Sequence, residues 1–340
     1  MDGTTGDELI LAGDFGGTKT NFGLFAGEPG RLRPVRLESF PTRDAASAVL
    51  LIERFLAAGE SGPIAEACFG VAAPVIGGTA AMVNLPWVIE ADVILRHFGF
   101  RRVLLINDLV ATAAAVPHLR PDQFERLTPA EAAPGGNIGL IAAGTGLGEA
   151  LLVWDGRDYL PASSEGGHKD FAPRDERQWR LRQFLARHYG PHVSVERVLS
   201  GPGLAQLYHF LREESGEPET DWLSRRLMGA DPAQIIAEAA LAGEDRICRE
   251  ALALFVEIYG AEAGNLALQG LTLGGIYIAG GIAPKIREAL LAGPFMAAFA
   301  AKGRMASLLG KMPVRLITDP LAPLWGAAAY GRKAAALTPA

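Results

Sequence analysis

The chain is poor in cysteine: two in 340 residues, Cys68 and Cys248, far apart in sequence. Two such cysteines build neither a disulfide framework nor a cysteine-rich zinc site, and they suit a reducing compartment. Positive charge is not in excess either, with 32 Lys plus Arg against 38 Asp plus Glu and a net charge of −6. That balance argues against nucleic acid as the main partner and gives no support for a membrane surface. Asp2, Asp7 and Glu8 stand where a signal peptide carries Lys or Arg. The longest uncharged run, 263–284, is broken by six glycines and by Asn265, Gln269 and Thr272, so it is not read as a membrane span. What remains is an ordinary apolar content, 49% hydrophobic against 21% charged, which excludes a disordered or fibrous chain. The length predicts about two domains. The expectation is a cytoplasmic protein with no membrane and no nucleic-acid partner.

Two glycine-rich turns organise the chain. The apolar run Glu8 to Ala12 stops at Gly13-Asp14-Phe15-Gly16-Gly17-Thr18, and Asn21 to Phe25 reads as a returning strand, giving a hairpin. Val35, Leu37 and Ser39 predict a third strand. Asp44 is placed to N-cap a helix through Ala48, Val49, Ile52, Phe55 and Leu56, with Gly59 as its stop. Ile64 to Val71 and Arg102 to Ile106 read as strands, and Asp108 to Val116 as a helix. The pattern then restarts. Asn137 to Ala142, the turn Ala143-Gly144-Thr145-Gly146 and Leu147 to Trp154 form a second strand–turn–strand unit, which points to two related halves. Further on, Arg174 to Arg187 and Ile235 to Leu268 read as helical. Ile276 to Ala279 is a strand ending at Gly280-Gly281, with a helical stretch from Pro284. Val314 to Ile317 is a last strand and Pro323 to Ala336 a last helix. A domain boundary is expected between Pro117 and Pro134.

Backbone N–H groups of a glycine turn converge on phosphate because no Cβ holds the chain away. Gly16, Gly17 and Thr18 offer such a turn, Thr18 adds a hydroxyl, and Asp14 supplies a carboxylate suited to a hydrated Mg²⁺. Gly144, Thr145 and Gly146 repeat the device. A Walker loop is excluded because the glycine before Lys19-Thr20 is replaced by Thr18. A Rossmann turn needs a helix next, whereas Asn21-Phe22-Gly23-Leu24-Phe25 is strand-like. Asp108 stands where a strand meets a helix, either as the helix cap or as a general base. An aspartate is a weak base, but phosphoryl transfer needs the attacking hydroxyl's proton only late. Ser163 to Asp170 is a polar loop in which Glu165 and His168 suit sugar hydroxyls. Glu196 either faces a ligand or pairs with Arg197 or another surface group.

The ordered set Gly13 to Thr18, Phe69-Gly70-Val71-Ala72-Ala73-Pro74, Asn84-Leu85-Pro86-Trp87, Leu105-Ile106-Asn107-Asp108, Gly144 to Gly148, Glu165-Gly166-Gly167-His168, Val195 to Gly201 and Ala279-Gly280-Gly281-Ile282 resembles the bacterial glucokinase family over residues 10 to 330. The resemblance implies a two-domain α/β actin-like ATPase (ribonuclease H-like) fold with an interdomain cleft. Its small domain would be 1–118 plus 318–340 and its large domain 119–317. It implies ATP and Mg²⁺ as cofactors, D-glucose as acceptor and a homodimer. Asp108 would take the proton of the glucose 6-hydroxyl, and Asn107, Glu165, His168 and Glu196 would bind other hydroxyls. Asp14 would face Mg²⁺ through water. Gly13, Asp14, Gly16, Gly17, Thr18, Gly144, Thr145, Gly146, Gly280 and Gly281 would line the nucleotide. Two features depart from the pattern of the family and its relatives. Lys19 stands where these glucokinases often have Asn, and is expected to face solvent. The cysteine-rich zinc loop of related sugar kinases is missing, so no structural zinc is expected. Two other classes stay open: a kinase of another hexose, such as mannose, fructose or an N-acetylated sugar, and a non-enzymatic actin-like ATPase. A sugar-responsive repressor would need a DNA-binding segment ahead of Asp14, which comes too early for one.

Overall fold

A computed structural model of the protein describes residues 8–28, 30–59, 62–82, 85–229 and 231–337, with the side chains of 163 and 335–337 left aside. Asn84, one of the motif residues above, lies outside the described residues. The chain forms two compact units, 1–123 with 319–340, and 124–318. The first break falls at Gln123 rather than at 118. The turn Pro121–Gln123 is tied to the returning chain, with the Asp319 amide donating to the Gln123 carbonyl and the Gln123 side-chain amide to the Asp319 carboxylate.

The first unit starts with strands β1 (Leu9–Phe15), β2 (Lys19–Ala26) and β3 (Arg33–Pro41), helix α1 (Ala48–Ala57) and β4 (Ile64–Val71). A small three-stranded sheet follows, β5 (Val75–Ile76), β6 (Thr79–Ala81) and β7 (Val88–Glu90), then α2 (Ala91–Phe98), β8 (Arg102–Asn107) and α3 (Asp108–Ala115). The main sheet has the order β3-β2-β1-β4-β8. β1 and β2 are antiparallel, whereas β1, β4 and β8 are parallel. Alternation along β1 sends Leu9, Leu11 and Phe15 to one face, packed with Phe22, Phe55 and Phe69 under α1. Ile10 and Ala12 go to the other, packed with Cys68, Ile106 and Ala111. Helix α1 is capped by Ser47, whose hydroxyl accepts the Leu50 amide, and not by Asp44 as expected. Asp44 instead ends a one-turn 3₁₀ segment, Thr42–Asp44, that follows β3 directly.

The second unit contains β9 (Phe124–Arg126), β10 (Ile138–Ala143), β11 (Leu147–Trp154), β12 (Tyr159–Ser164), α4 (Glu176–Tyr189), α5 (Gly201–Ser215), α6 (Asp221–Gly229), α7 (Pro232–Leu241) and α8 (Arg246–Gly270). It ends with β13 (Gly275–Ala279), α9 (Arg287–Leu291), α10 (Pro294–Ala300), α11 (Ala306–Leu309) and β14 (Val314–Ile317). Its sheet order is β12-β11-β10-β13-β14-β9. An antiparallel meander, β10-β11-β12, runs into two parallel strands, β13 and β14, which repeats the β1-β2-β3, β4, β8 plan of the first unit. The stretch expected as one helical region, 235–268, is two helices. Gly243 (φ +71°) turns the chain between them, and Asp245 caps α8 by accepting the Cys248 amide. Helix α8 is long and apolar enough to cross a membrane, yet 78% of its most apolar window is buried against the rest of the protein, which marks a core helix. The chain returns to the first unit as α12 (Ala322–Leu337), whose Gly326 lies so close to α3 that a Cβ would stand 1.7 Å from the Ala111 carbonyl oxygen.

Candidate active site

In the first unit the parallel strands place Asp14 and Asp108 at the same end of the sheet. Asp14 is in register with Gly70, and Gly70 with Ile106, two residues before Asp108. Two strand spacings put the Asp14 and Ile106 backbones about 10 Å apart. Gly70 between them carries no side chain, and a Cβ there would meet Ala111 Cβ at 3.0 Å and Asp108 Cα at 3.7 Å. Glycine at 70 therefore lets the start of α3, with Asp108, lie close against β4.

Asn107, not Asp108, caps α3. Its Oδ1 accepts the Leu109 amide at 2.9 Å and its Nδ2 donates to the Ala73 carbonyl at 3.3 Å. Asp108 takes the same Leu109 amide on Oδ1 at 2.9 Å, and the Asn107 side chain also acts on its carboxylate. Burial raises the Asp108 pKa above the usual carboxylate value, against the pull of the Leu109 amide and Asn107. Asp14 is raised further, to about 6, first by burial and then by the negative charge of Asp108. The side chain of Asn21, donating at 3.3 Å, and the charge of Lys19 work the other way. Lys19 itself is exposed. The pair is short of positive charge. Among the described residues no third His, Cys, Asp or Glu joins it to form a metal cluster.

The first glycine turn is built more tightly than expected. The Gly16 amide is consumed inside it, donating to the Lys19 carbonyl at 3.1 Å, while the Gly16 carbonyl accepts the Thr42 hydroxyl at 2.8 Å. The amides of Gly17 and Thr18 have no partner among the described residues and are the ones on offer. Gly13 lies inside β1, where a Cβ would come within 2.5 Å of the Phe69 ring, so its missing side chain makes room for the aromatic core.

In the second unit the remaining candidates converge. The Gly144 amide closes the second turn on the Gly146 carbonyl at 2.8 Å, and Thr145 at its tip is exposed. Gly280, with φ +85°, packs so that a Cβ would meet the Ala143 carbonyl oxygen at 2.4 Å; Gly281 beside it is open. These glycines flank the ends of the paired strands β10 and β13. Glu196 does not pair with Arg197, whose guanidinium sits over the Tyr189 ring at 4.2 Å; its Oε2 accepts the Leu147 amide at 2.9 Å. The loop read as running from Ser163 to Asp170 is shorter: β12 extends to Ser164 and a single 3₁₀ turn, Gly166–His168, follows. That turn rests on β11, where a Cβ on Gly167 would fall 2.1 Å from the Leu147 carbonyl oxygen. Val195 N donates to Lys169 O at 2.9 Å and Phe171 N to Val193 O at 2.8 Å, joining this loop to the Glu196 segment. Glu165 and His168 are exposed, with Oε2 and Nε2 3.9 Å apart.

One cluster escaped the sequence reading. Lys169 Nζ lies 2.8 Å from Glu149 Oε2 and 2.5 Å from Glu262 Oε1, and both carboxylates are almost fully buried. Burial drives Glu149 up to about 7 despite the lysine. Lys169 is itself raised, because the two carboxylates outweigh the burial that opposes its charge. A lone Glu in the apolar strand 147–154 and another inside the core helix 246–270 were the available signals.

A glucokinase family model matches residues 11–334. A glucokinase of Nostoc punctiforme is 39% identical over 334 residues, covering 94% of this chain and 98% of its own. The crystal structure of a glucokinase from an Antarctic psychrotroph is similar with a TM-score of 0.85 at 33% identity, covering 95% of this chain and 98% of that one. A ROK family glucokinase from Streptomyces griseus, solved in complex with glucose and AMPPNP, shares the fold with a TM-score of 0.63 at 21% identity, over 96% and 99% of the two chains. The fold in common is the two-domain α/β fold of the actin-like ATPases.

Proposed function

The chain belongs to the glucokinase family, and on that footing we propose that Asp108 is the base of an ATP-dependent transfer to the 6-hydroxyl of D-glucose. The observation that carries this assignment is the division of labour at the start of α3. Asn107 does the capping, so the Asp108 carboxylate, held at Oδ1 by the Leu109 amide, is not needed as the helix cap. A raised pKa brings that carboxylate closer to the operating pH, where a base works best. The carboxylate would accept the hydroxyl proton as the sugar oxygen attacks the γ-phosphorus in line.

Asn107 keeps one N–H beyond its bond to Ala73 for a sugar hydroxyl, and Glu165, His168 and Glu196 supply further acceptors and donors. The amides of Gly17 and Thr18 suit phosphate oxygens, as do Thr145, Gly146, Gly280 and Gly281 in the second unit, while Gly13, Gly16 and Gly144 line the nucleotide by shaping the turns, the last two with their own amides spent on closing them. Asp14 fits the Mg²⁺ that the family resemblance implies. It is a mostly buried carboxylate with one long hydrogen bond and a second carboxylate nearby, an oxygen-only setting suited to a hydrated hard cation. Bound with ATP, Mg²⁺ would neutralise phosphate charge. We place the enzyme in the cytoplasm, in keeping with two buried free cysteines, and as a homodimer by likeness to its family.

The test is Asp108→Asn. Turnover should fall about 10²- to 10⁴-fold, the scale of a lost general base, with glucose affinity kept within a few-fold. Near-normal turnover removes Asp108 from the chemistry.

A further inference from the structure

Glu196 sits where the second glycine turn, the sugar loop and the start of α5 meet. Its Oε2 accepts the Leu147 amide at 2.9 Å, and a Cβ on Gly146 would stand 2.5 Å from that same oxygen. Glycine at 146 is thus what lets the carboxylate reach the turn. The backbone around Glu196 is held from three directions. Val195 N donates to Lys169 O at 2.9 Å, the Ser200 hydroxyl donates to the Glu196 carbonyl at 2.8 Å, and Gly201 N donates to Gly144 O at 2.8 Å. Oε1 makes no hydrogen bond among the described residues.

We infer that Glu196 is a positioning residue for the second glycine turn as well as a sugar ligand. One carboxylate oxygen holds the turn in the shape that receives nucleotide phosphates, and the other is left for a sugar hydroxyl. The inference rests on the reading that this turn takes phosphate. It has a consequence for binding. A sugar hydroxyl that draws on the carboxylate changes its hold on the Leu147 amide, so sugar and nucleotide affinities are linked through this side chain, equally in both directions. A glutamate that served the sugar alone would leave nucleotide binding untouched when no sugar is present.

The experiment titrates ADP into the full chain without sugar, for the wild type, Glu196→Ala and Glu196→Gln, and follows amide hydrogen exchange over 144–147. Glu196→Ala should bind ADP about tenfold more weakly, the scale of one lost hydrogen bond to a charged group, and should exchange the Leu147 amide faster before ADP is added. Glu196→Gln keeps an acceptor oxygen and should stay within about threefold of wild type for ADP, which also guards against a folding defect in the alanine variant. Equal ADP affinity in Glu196→Ala and wild type overturns the inference, as does equal weakening by both variants. A different failure is separable. If ADP binds the wild type without slowing exchange at Thr145 to Leu147, the turn does not take phosphate, and that assignment falls together with this one.

Discussion

Asp14→Asn should make the protein more stable and less active at once. In the folded chain the Asp14 carboxyl titrates at about 6, against about 3.9 for an unfolded aspartate. Each pKa unit is worth about 1.4 kcal/mol, so the ionised form costs the folded state up to about 3 kcal/mol. The sign follows from proton counting. Between pH 4 and 6 the folded state holds a proton that the unfolded state has lost, so the Asp14 contribution to stability falls as pH rises through that window and is level above it. Asparagine has no charge to bury. Its advantage should be about 1.5 kcal/mol at pH 5 and grow to about 3 kcal/mol at pH 8, both as upper bounds. For a unit of this size that is at most about 6–12 °C in the unfolding midpoint. The assay is scanning calorimetry of both proteins in chelator-containing buffer without nucleotide, at pH 5 and pH 8. The same variant should lose Mg²⁺-dependent turnover. A midpoint that does not rise, or rises equally at both pH values, refutes the argument that this carboxylate is held at the site against its own solvation.

Three further outcomes are expected. Lys169→Met leaves two buried carboxylates without their cation, so it should destabilise the second unit by up to about 3 kcal/mol, the lower end for a broken buried pair because the lysine is partly exposed; unchanged denaturation would make the cluster energetically idle. Glu149, at about 7 in the folded chain, binds a proton there that the unfolded chain has released above pH 4.5. Wild-type stability should therefore keep falling up to about pH 7, and Glu149→Gln should flatten the part between pH 6 and 7, read by calorimetry. Gly167→Ala drives a Cβ into the Leu147 carbonyl and must lift the 3₁₀ turn off β11, so the glucose KM should rise about tenfold or more. A KM unmoved by that change would place Glu165 and His168 outside the sugar site.

The elements legible in the sequence are those whose signal is local. Ile64–Val71, Leu147–Trp154 and Val314–Ile317 match the sequence reading residue for residue, because each is a mostly apolar stretch, interrupted by a single charged residue (Glu66, Glu149 and Arg315), that ends where turn residues begin. The repeat of a glycine hairpin was legible for the same reason, and the two sheets share its plan. Strand β12 was missed since Tyr159-Leu160-Pro161-Ala162-Ser163-Ser164 holds a proline and two serines, tolerable only at a sheet edge. The choice between Asn107 and Asp108 as cap was illegible, because adjacent Asn and Asp have equal cap preference and backbone geometry decides. The Lys169–Glu149–Glu262 cluster and the Glu196–Leu147 bond join residues distant in sequence, and no periodicity reports such pairs. Gly16 shows the reverse error: a glycine in a phosphate-like turn whose own amide is spent on closing the turn.

The most direct measurement is identification of the product formed from ATP and ¹³C-labelled hexoses by NMR, with Asp108→Asn run alongside. The account predicts glucose 6-phosphate as the main product of the wild type, ADP release that depends on the sugar, and loss of both in the variant. ADP formation indifferent to every hexose, or a variant as productive as the wild type, would contradict it.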